Sequence, residues 1–522
     1  MQTDQKEETA QGARSTLSCW SACLLCCLMS CAASRRIVPR CAPWPFDDPN
    51  ANVIIRSCDG FDFYVEAEIL TRSSPFFRRG LSQPAAASRR LLPSSVASTT
   101  LNILLRFCYP GAKPTVSIGE TETFYEVLKT AGRYEIQTAK TTLLTQLSDS
   151  AAKMPWEVLI IAARSDLQGQ AEVAADQLRT QWTVFNDEDE LFEGTLAGRF
   201  FAGNAGLCRI VGGVYFRLLR YIRNRSSDTN FSLSAPASND PQEHQKRWAI
   251  QPPFNRDDHD VTLISSDGVG FATHELLLRL AGLEEPWNRK LKVHSAVLGP
   301  LLRLCYPADA VGDCGAGLAN VAALGTRTFG DVLEATITLG MQSFTKQMRA
   351  AWIIPSYNSE DLLGMYCIAA RLKFALEERF FASELLARPI ANIYSPELER
   401  TTADIYQRLL MFHHKSNAAM LKVYRRFEHT HETAFNLEGR VWREAWFEGS
   451  SGRFFRSLPL VLAETHDVRA EFREGRQRAS SSLERQVREL NEQTREALEH
   501  VSHLLQMQTT SASDLDRRTD SP

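Results

Sequence analysis

Four histidines between residues 413 and 431 are the first side chains whose spacing could do chemistry, because imidazole nitrogens bind zinc. They are His413, His414, His429 and His431. A zinc site needs about four ligands that converge at about 2 Å, and no cysteine lies close in the sequence to complete the set. His413 and His414 are adjacent, so one helix face cannot present both. We therefore interpret the cluster as surface histidines of a helix and predict no metal site.

The remaining chemical motifs do not point to a reaction. The acidic run at 187–190 lacks the spacing of an EF-hand calcium loop. The glycine-rich stretches 194–213 and 312–325 contain neither GxxxxGK[ST] nor a GxGxxG turn between a strand and a helix. No GxSxG nucleophile elbow occurs, and no cysteine–histidine pair can be assigned. The sequence predicts a non-enzymatic protein with no catalytic residues, no cofactor and no small-molecule substrate.

Cysteine usage divides the chain into two parts. Six of the twelve cysteines lie in or near the apolar segment 17–33: Cys19, Cys23, Cys26, Cys27, Cys31 and Cys41. The segment is shorter than the roughly 20 residues of a spanning helix, and it fits a disordered leader, a wrongly assigned start or an S-acylated anchor. The other six are too scattered for a disulfide framework, so we predict small buried residues in a reducing compartment. They are Cys58, Cys108, Cys208, Cys305, Cys314 and Cys367.

Composition and charge narrow the class of protein. The 522 residues include 44% hydrophobic and 23% charged residues, and the formal net charge is −3. These values are typical of globular proteins. Lysine and arginine are distributed along the chain rather than clustered, so we predict no nucleic-acid partner.

Five collinear matches show that the chain repeats itself. Their offsets stay between 191 and 208 residues, and six of the seven positions are identical between LLRFCYP and LLRLCYP. The pairs are 53–63 with 261–271, 104–110 with 301–307, 123–128 with 328–333, 161–164 with 368–371, and 215–219 with 406–410. Matches in the same order indicate a duplication. We call about 51–230 the first copy and about 256–428 the second copy.

Each copy begins with a predicted β-hairpin. Apolar residues alternate with polar ones on both sides of Asp59-Gly60, which is typical of half-buried strands, and the Asp-Gly pair supplies the positive φ of a tight turn. Asp267-Gly268 occupies the same place in the second copy. Apolar residues at helical spacing follow in both copies. The predicted fold class is α+β, predominantly helical, with a small sheet capped by helices and followed by a helical extension.

The order of these motifs resembles the BTB/POZ domain: a strand, Ser-x-Asp-Gly, a strand with Phe, a helix ending in Ser-Pro-Phe-Phe, and a leucine-rich helix ending in Tyr-Pro. The resemblance covers most of 51–225 and a more divergent 256–428, and the trailing helices resemble those of fungal BTB-domain proteins. The positions that carry it, which we expect to be structural, are Asp59, Gly60, Phe63, Ser74, Pro75, Phe76, Phe77, Tyr109, Pro110, Asp267, Gly268, Phe271, His274, Tyr306 and Pro307. The family usually has a histidine where the second copy has His274; the first copy has Glu66 there. The second copy also lacks the Ser-Pro-Phe-Phe block.

The repeat, together with the composition of the segments outside it, predicts the following order of segments. They are a disordered or Cys-rich leader at 1–50, a BTB/POZ-like domain at 51–150, its helical extension at 151–225, a linker at 226–255, a divergent BTB/POZ-like domain at 256–355, its extension at 356–428, an aromatic cap at 429–470, an amphipathic or coiled-coil helix at 471–507 and a disordered tail at 508–522. The apolar residues of 479–507 alternate at spacings of four and three over about three heptads, which fits a short coiled coil or a helix docked on its own domain.

Function is implied by the resemblance. BTB/POZ domains associate with themselves or with other proteins, and many link a substrate to a cullin-type ubiquitin ligase. We therefore expect a cytoplasmic or nuclear interaction scaffold with protein partners, and an adaptor for a cullin-type ligase is the sharper hypothesis. Alternatives are a scaffold tethered to a membrane through the N-terminal cysteines and an intramolecular pseudo-dimer of the two copies, which would need no partner chain. An enzyme would require a pocket with converging polar groups.

Overall fold

The structure is a computed structural model of the chain. It describes residues 40–82, 89–111, 113–183, 206–223, 230–236, 254, 258–283, 291–306, 325–353, 361–386, 388, 390–430, 492–493 and 496. The chain divides into two compact units, Met1–Val184 and Phe185–Pro522.

A four-stranded sheet begins the first compact unit. Its strands are β1 (Arg40–Cys41), β2 (Val53–Arg56), β3 (Phe61–Val65) and β4 (Arg90–Pro93), in the spatial order β1-β3-β2-β4. β2 and β3 form the predicted antiparallel hairpin, whereas β1 runs parallel to β3 and β4 runs parallel to β2. Val53, Ile55 and Phe63 are buried, because alternate residues of a strand point to the same face. The hairpin prediction is confirmed.

Residues 40–50 differ from the prediction of a disordered leader. They supply β1, and they bury Ala42 and Phe46. The Phe46 ring packs edge-on against Tyr109, with 5.3 Å between the ring centroids. A two-residue strand and an isolated aromatic residue produce no periodicity, so the sequence pattern could not distinguish them from a leader.

Helices follow the sheet in the first compact unit. They are α1 (Ala67–Ser73), α2 (Pro75–Leu81), α3 (Ser98–Cys108), α4 (Thr121–Arg133), α5 (Gln137–Ser150), α6 (Pro155–Arg164) and α7 (Gln168–Thr183). Proline begins α2 and α6, where the first turn has no hydrogen bond for it to break. Leu101, Leu104 and Leu105 of α3 are fully buried. α3 packs on α4, α4 on α5 and α6, and α6 on α7.

The second compact unit contains a second hairpin and a second series of helices. Its elements are a 3₁₀ turn (Leu207–Arg209), α8 (Gly212–Arg223), β5 (Val261–Ile264), β6 (Gly270–Thr273), α9 (Glu275–Leu280), α10 (Ser295–Cys305), α11 (Thr326–Thr338), α12 (Gln342–Ile353), α13 (Leu362–Arg371), α14 (Ala375–Leu385), 3₁₀ turns at Ile390–Asn392 and Pro396–Arg400, and α15 (Ala403–Thr430). β5 and β6 pair antiparallel. α10 packs on α11, as α3 packs on α4 in the first compact unit. Likewise α13 packs on α14, as α6 packs on α7.

The bends between helices recur in the two copies at equivalent places. Glu135 after α4 and Gly340 after α11 have positive φ values of 53° and 78°, and Asp166 and Lys373 after α6 and α13 have 53° and 59°. Left-handed residues commonly end helices, because they let the following amide bond back to the last turn. The predominantly helical α+β fold class is therefore observed.

α8 lies in the second compact unit, although the sequence grouped residues 151–225 as one extension of the first copy. The Gly212 amide donates to the Thr401 carbonyl (2.6 Å) and the Ala403 amide donates to the Ile210 carbonyl (2.9 Å), and α8 packs on α15. Apolar periodicity shows that a helix buries one face but does not show against which helix.

Several sequence predictions lie outside the described residues. They concern the leader up to residue 39, the acidic run at 187–190, most of both glycine-rich stretches, most of the linker at 226–255, and nearly all of the cap, helix and tail beyond residue 430. The described part of the predicted linker differs from a solvated segment, because Phe231, Leu233 and Phe254 are buried. Among the helices that the structure describes, none has the length and apolar character needed to cross a membrane.

Candidate functional site

The hairpin turn of the first copy is tied to the start of α3 by one carboxylate. Asp59 accepts hydrogen bonds from the Ser98 amide (2.9 Å) and the Ser98 hydroxyl (2.5 Å). Gly60, with φ of 86°, makes the turn that presents this carboxylate. Burial opposes ionisation of Asp59, but hydrogen bonds from Ser57 and Ser98 outweigh it and lower the pKa of the carboxyl. Asp59 therefore acts as a charged cap at a helix N-terminus.

Ser74 joins α1, α2 and the bend after α4. Its hydroxyl accepts from the Phe77 amide (3.1 Å) and donates to the Tyr134 carbonyl (2.5 Å), and it is fully buried. Pro75 follows it as the first residue of α2. The rings of Phe76 and Phe77 lie 5.1 and 5.3 Å from the Tyr134 ring. The Ser-Pro-Phe-Phe block is thus a structural joint.

Tyr109 ends α3 and reaches back to the start of α1. Its hydroxyl accepts from the Glu66 amide at 3.0 Å, and burial raises its pKa, so the hydroxyl stays protonated near neutral pH. The Phe46 ring bridges Tyr109 and Phe63, at 5.3 and 5.7 Å between centroids. Pro110 is exposed beyond this contact.

The second copy repeats the cap between hairpin and helix. Asp267 accepts from the Ser295 amide (2.9 Å) and the Ser295 hydroxyl (2.5 Å), and Gly268 has φ of 87°. Desolvation opposes ionisation, but the hydrogen bonds from Ser295 and Ser265 prevail and hold the pKa of Asp267 well below its usual value. The same chemistry stands at the same position in both copies.

The tyrosine contact also recurs, with one change. The Tyr306 hydroxyl lies 3.0 Å from Nδ1 of His274, and burial raises the pKa of Tyr306 to about 12. Phe254 contacts both Tyr306 and Phe271, at 5.9 and 5.3 Å, as Phe46 does in the first copy. Pro307 lies outside the described residues.

The structure corrects the interpretation of His413 as a surface residue. His413 is partly buried and its Nε2 lies 3.2 Å from the Arg388 carbonyl; burial, together with the charge of His414, lowers its pKa. In the part of the chain that the structure describes, no three His, Cys, Asp or Glu side chains are grouped to hold a metal ion. The expectation of buried cysteines holds for Cys108 and Cys367, whereas Cys305 is half-buried and Cys58 and Cys208 are exposed. Cys314 lies outside the described residues.

Exposed apolar side chains are the surface features that the sequence analysis did not identify. Trp44 is 74% exposed, and its carbonyl is held by Nη2 of Arg106 at 2.9 Å. In the second copy Leu276 and Leu280, one turn apart on α9, are 68% and 74% exposed. Large apolar side chains that face water on a positioned backbone are typical of binding surfaces.

The first copy has charges where the second has these leucines. Glu68 and Arg72, at the same positions of α1, form an exposed ion pair at 3.0 Å. An offset of 208 residues aligns both pairs. Comparing the two copies residue by residue would have revealed the change from sequence alone.

The family model of the BTB/POZ domain matches residues 48–151, which include both strands of the first hairpin and α1 to α5. BTB/POZ domains are protein-interaction domains. This match supports a scaffold or adaptor role for the chain. No curated protein and no solved structure matches the chain.

Proposed function

We propose that the chain is a non-enzymatic adaptor in which the BTB/POZ-like region of the first copy binds a scaffold protein and the second copy binds a different protein. The match of residues 48–151 to the BTB/POZ domain carries this proposal. A cullin-type ubiquitin ligase is the scaffold that the family resemblance suggests. The cytoplasm or the nucleus is the compartment in which such an adaptor acts.

We also propose that the second copy is a divergent BTB/POZ-like domain. The Asp–Ser cap, the left-handed glycine and the Phe–Tyr contact of the first copy all have counterparts there. These features hold the hairpin against the helices that follow it. Their presence in both copies supports a BTB/POZ-like fold for the second copy.

The two copies offer different surfaces to partners. Burying Leu276 and Leu280 against an apolar partner would contribute about 1.5–3 kcal/mol for each side chain. The first copy presents a solvated ion pair, Glu68–Arg72, at the same place, and exposed pairs of this kind contribute only about 0–1 kcal/mol. Trp44 is the apolar anchor of the first copy, since tryptophan is enriched among residues that dominate binding energy. An adaptor needs such a difference, because it must hold two partners at once.

Direct binding tests the adaptor proposal. The purified full chain and a purified cullin-type scaffold are compared by titration, using wild type and Trp44→Ala. Binding by the wild type that Trp44→Ala weakens at least tenfold supports the proposal. Failure of the wild type to bind contradicts the cullin adaptor.

The second copy is tested by affinity purification with quantitative mass spectrometry. Leu276→Glu/Leu280→Glu should remove a set of proteins that the wild type retains, while Glu68→Ala/Arg72→Ala at the equivalent positions is the matched control. Identical sets for all three forms would show that the leucines bind nothing.

The six cysteines before residue 42 favour a second candidate, a scaffold tethered to membranes by S-acylation. Cys26→Ser/Cys27→Ser should then move the chain from the membrane fraction to the supernatant. Recovery of the wild type in the supernatant would contradict tethering.

A further inference from the structure

Two equivalent segments of the repeat face each other across an approximate two-fold axis inside the second compact unit. Val211 and Thr402, 191 residues apart and equivalent in the repeat, form an antiparallel bridge. The hydrogen bonds beside them are reciprocal: Gly212 donates to Thr401, and Ala403 donates to Ile210. Gly212 is equivalent to Ala403 and Ile210 to Thr401. This reciprocity is the mark of an isologous interface, in which each surface binds a copy of itself.

Side chains continue this symmetry away from the axis. The rings of Tyr215 and Tyr406, which are equivalent, lie 6.2 Å apart at 77°. Each is nearly fully buried. The hydrogen bonds of the two hydroxyls differ: that of Tyr215 donates to Oε1 of Gln407 at 2.5 Å, and that of Tyr406 donates to the Ile390 carbonyl at 3.2 Å. We call residues 207–223 together with 390–412 the seam.

Glu399 breaks the symmetry of the seam. Its carboxylate pairs with the Arg217 guanidinium and accepts from the Tyr394 hydroxyl at 3.0 Å. It also occupies the space beside Gly213, where a Cβ atom would overlap it. The equivalent of Glu399 in the first copy is Cys208, and the equivalent of Gly213 in the second is Asp404.

These substitutions determine which pairings fit. A seam built from two second-copy segments would keep an arginine near Glu399, because Arg408 is the equivalent of Arg217. It would also bring the Glu399 carboxylate against the carboxylate of Asp404, and these charges repel. A seam built from two first-copy segments would leave Arg217 facing Cys208 and would lose the ion pair. Only one segment of each kind gives both the space at Gly213 and the partner for Arg217.

We propose that Glu399 and Gly213 are the specificity-determining residues of a heterotypic seam, through which α8 selects the second copy of the same chain while Arg217 supplies the ion-pair partner of Glu399. The two segments share one chain, so their association is intramolecular and gains from a raised effective concentration. The seam closes in cis and does not recruit a further chain. It operates whatever partners the rest of the molecule binds.

Cleavage of the folded full chain tests the seam. A protease site inserted between residues 240 and 250 separates the first copy from the second after purification, and light scattering after size-exclusion chromatography measures whether the fragments stay together. After cleavage the fragments should remain a one-to-one complex.

A double-mutant cycle tests the specificity. Gly213→Asp, which installs the residue of the second copy, should weaken the cleaved complex at least tenfold. Glu399→Ala alone should weaken it less, and Gly213→Asp should have little further effect in the Glu399→Ala background. Gly132→Asp is the matched control, because a Cβ there has no neighbour within 4 Å, and it should not alter the complex. Separation of the wild-type fragments, or a Gly213→Asp effect that is equal in both backgrounds, would overturn the proposal.

Discussion

Removing the Ser74 hydroxyl should loosen the joint between α1, α2 and the bend after α4. Ser74→Ala deletes the cap on the Phe77 amide (3.1 Å) and the bond to the Tyr134 carbonyl (2.5 Å). A lost N-cap costs about 1 kcal/mol, and a typical intramolecular hydrogen bond contributes about another 1 kcal/mol. The side chain is fully buried, so water cannot replace either bond. The sum is about 2 kcal/mol, which corresponds to roughly a 30-fold change in an opening equilibrium.

Native-state hydrogen exchange read by mass spectrometry measures this opening directly. Amides of residues 70–82 should exchange about 30-fold faster in Ser74→Ala. Ser82→Ala, which removes an exposed hydroxyl bond to the Arg79 carbonyl at the other end of α2, should change exchange less than about threefold. Equal effects of the two substitutions would refute the assignment of Ser74 as a buried joint.

Two further predictions concern a turn and a titrating side chain. Gly60→Ala should destabilise the first hairpin by about 1 kcal/mol or more, because Gly60 has a φ of 86°. Urea unfolding measures the loss of stability, and an unchanged midpoint would contradict a left-handed turn at Gly60. Burial and the charge of His414 lower the pKa of His413 in the folded chain, so the unfolded chain binds the proton more readily and stability falls as the pH drops through about 6.5. His413→Gln should flatten the stability profile between about pH 7 and pH 5, and an unchanged profile would contradict this.

The hairpins and helices were predictable because their signals are local. Asp59-Gly60 and Asp267-Gly268 encode the turns, and alternation around them encodes the strands. The recurrence of Tyr109 as Tyr306 indicated a structural role for this tyrosine, and the proline after Ser74 indicated a helix end there. The collinear matches predicted a recurring plan without any knowledge of contacts.

Features that depend on distant residues could not be read from the sequence. Phe46 belongs to the core only because Tyr109 and Phe63 close around it. His413 is half-buried because the chain at Arg388 folds over it, whereas periodicity places it only on a helix. The partner of α8 is likewise set by the pairing of Val211 with Thr402, which lies 191 residues away.

The candidate binding residues were missed for a related reason. A leucine at helical spacing predicts burial, yet Leu276 and Leu280 are exposed because α9 packs through Leu278 instead. Exposure is a property of the assembled fold, and the single residue type does not reveal it.

Amide hydrogen exchange at the two Asp–Ser caps tests most directly whether the same arrangement of hairpin and helices occurs in both copies. Asp59→Ala and Asp267→Ala each remove a carboxylate that accepts from a serine amide at 2.9 Å, a loss of about 1–2 kcal/mol. We expect Asp59→Ala to speed exchange of the Ser98 amide and Asp267→Ala to speed that of Ser295, by about 5- to 30-fold each, with no effect on the other copy. A Ser295 amide that exchanges equally fast with and without Asp267 would contradict the account.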